Sequence, residues 1–166
     1  RVMIHSPQGI GRSKRGLDIW LAMGLEGWGE APIAHADPCL SAHLCPQTSW
    51  RMGAWALEMG ANAGMDCSDG LFADLPRLAH QSDLALEIDL AALPLDSACL
   101  DMTPQERAAG GEDYGLIVTV KPELEGLFQA HDFITLGQAR RGQGVSWSID
   151  GLPLDEASPA FEHFLS

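Results

Sequence analysis

The hydrophobic positions of this chain switch repeatedly between a period of two and a helical period, and the switches lay out an α/β pattern. Val2 to His5 reads as a strand, Pro7 to Gly11 as a turn, and the apolar residues from about Lys14 to Met23 recur at helical spacing. Gly24 to Pro38 carries glycine, proline and acids without periodicity and reads as a loop. A second helical pattern runs from about Thr48 to Met59, with Met52, Trp55, Leu57 and Met59 as its core residues. From Leu71 to Ala79 the pattern is helical again, but Pro76 lies inside it. Proline costs about 3 kcal/mol in a helix interior and is tolerated in the first turn. The regular helix is therefore expected to begin near Asp74, with Asp74 as its cap and Ser68 to Phe72 as a separate, tighter segment.

Leu86 to Leu90 alternates as a half-buried strand, and Leu93 to Thr103 reads as a loop. A short helix is expected over Pro104 to Ala109 and another over Pro122 to His131. Leu116 to Val120 is a continuous apolar, β-branched run, the mark of a buried strand. Ile134 to Gln138 and the alternating Val145, Trp147 and Ile149 give two more strands, joined by a turn at Gly142 and Gly144, and the tail from Pro153 is loop-like. The expected fold is an α/β domain, a mixed sheet with helices packed on it, as one domain over residues 1–166.

Composition narrows the partners. A formal charge of −13 and a pI near 4.6 exclude nucleic acid and anionic membrane surfaces, which demand clustered Lys and Arg. No apolar run approaches the roughly 20 residues of a membrane-spanning helix, and no signal-peptide pattern is present. The chain opens on Arg1 and passes directly into strand-like residues, so a piece of a longer protein is expected. Cys39, Cys45, Cys67 and Cys99 form no C-x-x-C and are expected to be reduced, in a cytoplasmic protein.

Gly64-Met65-Asp66-Cys67-Ser68-Asp69-Gly70 is the stretch with the most chemistry. Two carboxylates at a chain reversal repel each other unless a cation lies between them, and Mg²⁺ suits such a place because it takes oxygen ligands from one or two carboxylates and substrate phosphates. Ser68 adds a hydroxyl that can donate to a phosphate. The bland alternative is that Asp69 or Ser68 caps a helix. Gly9-x-Gly11 with Arg12, Lys14 and Arg15 could hold an anion at a helix N-terminus. It lacks the Lys-[Ser/Thr] pair of a P-loop, and a plain strand-to-helix turn is the preferred reading. His35, Cys39, His43 and Cys45 have spacing that could serve Zn²⁺, but Pro38 and Pro46 oppose one helix across all four, and packed His and Cys are the default. Gly110-Gly111-Glu112-Asp113 puts two further carboxylates on a bend before a buried strand.

Together these segments resemble the C-terminal half of the thiamine-phosphate kinases, in the superfamily of aminoimidazole ribonucleotide synthetase and selenophosphate synthetase. Gly9-Ile10-Gly11-Arg12-Ser13 through Gly16-Leu17, His43-Leu44-Cys45-Pro46, Met65 to Leu71 continuing to Asp89, Gly110-Gly111-Glu112-Asp113-Tyr114, and Phe161-Glu162-His163-Phe164 carry the resemblance, in order. It implies ATP-dependent phosphorylation of thiamine phosphate to thiamine diphosphate. It implies Asp66 and Asp69 as Mg²⁺ ligands, Ser68 as an ATP contact, and Glu112 and Phe161 on the thiamine-phosphate side. It further implies an N-terminal half supplying most metal ligands and a homodimer core, so that this chain alone would be inactive. Gly115 departs from the pattern, standing where the family usually carries an acid. Two rivals remain open at this point: a sister enzyme such as selenophosphate synthetase or a hydrogenase-maturation protein, and a non-catalytic binding or dimerisation module.

Overall fold

A computed structural model of the protein describes residues 1–24 and 37–154. Its strands are β1 (Val2–His5), β2 (Ala63–Cys67), β3 (Leu84–Asp89), β4 (Gly115–Thr119), β5 (Ile134–Arg141), β6 (Gly144–Ile149) and β7 (Leu152–Pro153). Its helices are α1 (Arg12–Ala22), α2 (Pro38–Leu44), α3 (Trp50–Glu58), α4 (Leu71–Ser82), α5 (Pro104–Ala108) and α6 (Glu125–Gln129). The strands form one mixed sheet in the order β2-β4-β1-β5-β3-β6-β7, antiparallel except where β3 lies parallel to β6.

β1 is central, and that explains why Val2, Met3 and Ile4 are all buried rather than alternating. Val2 and Ile4 meet the core under α4, built from Leu71, Leu75, Leu78 and Ala79. Met3 meets a second core on the opposite face, where Ala56, Phe128 and Phe133 pack with Met52, Trp55 and Met59. Trp55 is central there: its ring lies 4.9 Å from Phe128 and 4.3 Å from His131. Leu57, expected in this core, is 74% exposed, because two residues beyond Trp55 a helix has turned to its outer side.

α4 also corrects an expectation. It begins at Leu71, after Gly70, and runs unbroken through Pro76 to Ser82. Asp74 does not open the helix; it lies in the first turn and its buried carboxylate reaches back to the N–H of Asp69 at 3.0 Å. Pro122 to His131, expected as one helix, is a 3-10 turn (Pro122–Leu124) followed by α6. α2 begins at Pro38, proline being harmless at the first helical position, with Asp37 accepting from the N–H groups of Cys39 (2.8 Å) and Leu40 (3.0 Å). All four cysteines are free, and no helix among the described residues is long and apolar enough to cross a membrane.

Candidate functional site

Three glycine-bearing turns from distant parts of the sequence meet at one junction. The bend Ser68–Gly70 follows β2, the bend Gly110–Tyr114 follows α5, and the turn Gly9–Gly11 precedes α1. Glu112 N–H donates to Ser68 O at 2.6 Å. A Cβ on Gly111 would stand 2.8 Å from that same oxygen, and one on Gly70 would meet the carbonyl oxygens of Gly110, Ala108 and Ala109 at 2.9–3.0 Å. Gly70 also has φ 91° and ψ 159°, a conformation essentially reserved for glycine. The glycines at these positions are thus what permits the two acidic bends to close on each other. Glu112 (φ 64°) and Tyr114 (φ 48°) hold left-handed backbone without being glycine, and such outliers concentrate at binding sites.

Asp113 has a different task from Glu112. Its carboxylate is buried and accepts from Gly11 N–H at 2.6 Å and Ser13 N–H at 3.0 Å, which caps α1 from across the fold. Burial pushes this carboxyl up to about 7, against the pull of those two N–H groups and of Arg107. The N-terminus of α1 is therefore already occupied by an acid. Arg12 pairs with Asp96 at 2.6 Å, Lys14 with Asp18 at 3.1 Å and Arg15 with Asp101 at 2.8 Å. The plain strand-to-helix turn, rather than a free anion site, is what these contacts describe.

Glu112 stands half-buried, its Oε2 3.4 Å from His43 Nδ1, and His43 Nδ1 also shares a hydrogen bond with Ser13 Oγ at 3.0 Å. His43 comes from α2, which lies so close to α1 that a Cβ on Gly16 would stand 2.1 Å from Cys39 O. Of the residues considered for zinc, His35 lies outside the described residues and Cys45 is exposed. Cys39 is buried, donates to Ala98 O at 3.5 Å, and has its thiol pushed up to about 12 by burial, as a packed thiol should.

The two central carboxylates sit in different surroundings. Asp66, expected at the chain reversal, lies instead in the edge strand β2, paired in register with Leu116. It is exposed, its carboxylate forms no hydrogen bond or ion pair with the described residues, and it lines a groove of about 290 Å³ walled by Gly53, Leu57 and Val118. Asp69 is at the reversal, where Arg77 Nη1 donates to its Oδ2 and, at 2.8 Å, to Asp74 Oδ1. Burial pushes the Asp74 carboxyl up, opposed by the Asp69 N–H and by Arg77. No three His, Cys, Asp or Glu side chains among the described residues form a group able to hold an ion alone. Phe161 lies outside the described residues.

Sequence reasoning missed Arg77, although its spacing from Asp74, three residues on within one helix, could have revealed it. It also missed the capping by Asp113, for which no local pattern exists. Gly115, flagged as a departure, opens β4, where a Cβ would stand 3.1 Å from His5 O, a tight approach that a small shift of β1 could relieve.

A mixed sheet with helices on both faces, and a junction of acidic, glycine-rich bends at the strand ends, define an α/β domain. The chain belongs to the family described as AIR synthase related protein, C-terminal domain, whose profile matches residues 41–146. It is 34% identical over 147 residues to the thiamine-monophosphate kinase of Escherichia coli (strain K12), covering 81% of this chain and 45% of the relative. It is 36% identical over 162 residues to that of Aquifex aeolicus, covering 93% and 49%. Among solved structures, one described as AaThiL complexed with AMPPCP and TMP superposes with a TM-score of 0.75 at 29% identity, covering 98% of this chain and 50% of that one. The chain thus spans about half the length of the curated relatives it matches.

Proposed function

We propose that this chain is the C-terminal half of an ATP-dependent kinase that converts thiamine phosphate to thiamine diphosphate, and that the junction of Ser68–Gly70 with Gly110–Asp113 is the half-site it contributes. The observation that carries this reading is the Glu112-to-Ser68 hydrogen bond, which joins the two acidic bends into one surface. The thiamine-monophosphate kinase relatives support it. Phosphoryl transfer needs positioning and charge neutralisation more than a protein nucleophile, and a surface of carboxylates, a hydroxyl and glycine backbone suits that demand.

In this reading Ser68 offers its hydroxyl to a nucleotide phosphate. Asp66 and Asp69 would hold Mg²⁺, an ion that usually takes one or two protein carboxylates and leaves its other positions to substrate phosphates and water. The bound ion supplies neutralisation of the charge on the transferred phosphoryl group. Arg77 holds Asp69 in place. Glu112, oriented by His43, faces thiamine phosphate, and Phe161 offers its ring face to the cationic heterocycle. The parent enzyme is a cytoplasmic homodimer built on the preceding half.

The test uses the parent protein with ATP, Mg²⁺ and thiamine phosphate. Thiamine diphosphate and ADP are the expected products, and their absence ends the reading. Asp66→Asn and Asp69→Asn should each lower turnover by at least about tenfold, the scale on which even outer-shell changes at metal sites act. Unchanged turnover in both would remove the pair from the metal.

A further inference from the structure

β2 ends the sheet on one side. It pairs with β4 alone, so its outer row of N–H and C=O groups has no strand partner among the described residues. Such an edge is a ready template for another strand. α3 runs beside it, and the groove of about 290 Å³ between them is lined by Gly53, Leu57, Ala61, Ala63 and Gly64. Trp50, Gly53, Ala54 and Leu57 recur at i, i+3, i+4 and i+7 and share one side of α3. Trp50 is 69% exposed and Leu57 74%. Gly53 is an independent sign. Glycine inside a helix costs stability relative to alanine, yet a Cβ at this position would meet nothing within 4 Å. Packing among the described residues gives no reason for the glycine, whereas a backbone lying close against α3 does.

We infer, on the reading of this chain as one half of a larger enzyme, that this groove receives an extended strand of the other half. That strand pairs with the free edge of β2 and lays an apolar face on Leu57, the mode in which backbone hydrogen bonds hold the strand and side-chain pockets select it. Two observations favour this occupant. The chain spans 45% and 49% of two curated relatives, which leaves a partner of about its own size. The groove also leads directly into the proposed half-site, because Asp66 lines it and Ser68 follows the end of β2. A second copy of this chain fits less well. Pairing two β2 edges about a two-fold axis would put the Asp66 side chains of both copies on one face of the joined sheet, and each chain carries a formal charge of −13.

Gly53→Ala is the test, made both in the 166-residue chain and in the full-length parent. In the 166-residue chain the new methyl has open space, and the melting temperature should rise by about 1–4 °C. In the parent the methyl meets the docked strand, and the melting temperature should fall. Leu57→Asp should leave the 166-residue chain unchanged and destabilise the parent. Amide hydrogen exchange at Gly64, Met65 and Asp66 should be at least about tenfold slower in the parent than in the 166-residue chain. A lower melting temperature for Gly53→Ala in the 166-residue chain, the same response in both proteins, or equal exchange at β2 would each overturn the inference. So would a concentration-dependent dimer of the 166-residue chain that Leu57→Asp abolishes, since it would give the groove to a second copy. None of these measurements uses catalysis. A parent that makes no thiamine diphosphate but shows the opposite responses to Gly53→Ala would end the kinase reading and support the docked strand.

Discussion

Asp113 shows how one residue's surroundings set its chemistry. In the unfolded chain its carboxyl titrates near 3.8, and in the fold burial pushes it up to about 7. Between those values the folded chain retains a proton that the unfolded chain has lost. The contribution of this position to stability is therefore full below the unfolded value and declines as pH rises through the window to about 7. Asp113→Asn does not titrate, so it should remove that part of the pH slope. An asparagine oxygen can also serve only one of the Gly11 and Ser13 N–H groups well, and the orphaned donor should cost about 1–3 kcal/mol at low pH. Denaturant unfolding of both proteins at a series of pH values measures the two effects together, with the gap narrowing towards neutrality. Parallel slopes would show that Asp113 titrates in the ordinary carboxylate range.

At the scale of elements, the packing of α1 on α2 governs where His43 stands. Gly16 carries no side chain because Cys39 O occupies the space, at 2.1 Å from where a Cβ would be. Gly16→Ala must therefore push the helices apart. Overpacking of this kind costs about 1–3 kcal/mol, and here it should also draw His43 away from Ser13 and Glu112. Lower stability accompanied by changed imidazole resonances of His43 is the expected outcome. Lower stability with those resonances unmoved would mean that α2 shifts without carrying the histidine.

For the whole molecule, the decisive quantity is how much of the proposed site this chain can build. The described residues bring together two acidic bends, but no group of three metal-binding side chains. The purified 166-residue chain is accordingly expected to form no thiamine diphosphate from ATP, Mg²⁺ and thiamine phosphate, and calorimetry without nucleotide should show only weak Mg²⁺ binding. Steady product formation by this chain alone would contradict the proposed division of the site between two halves.

The sequence by itself determined most of the elements, because hydrophobic period and turn residues act locally. Val2 to His5, the strand before Val120 and the alternation at Val145, Trp147 and Ile149 were all legible, and so was the mixed α/β architecture. The Gly-Gly-Glu-Asp and Asp-x-x-Asp motifs were legible as acidic bends, and the fold joins those bends through the Glu112-to-Ser68 hydrogen bond. Tertiary structure decided the rest. α4 continues through Pro76 because its apolar face, from Leu71 to Ala79, is buried against the sheet, and that burial outweighs the local penalty of proline. Asp66 entered an edge strand because β4 offered it a partner, a pairing that no window around Asp66 contains. Local sequence likewise could not divide the labour between Glu112 and its neighbour Asp113. One stands beside His43 and the other caps α1, because the fold brings α2 and the start of α1 up to this bend.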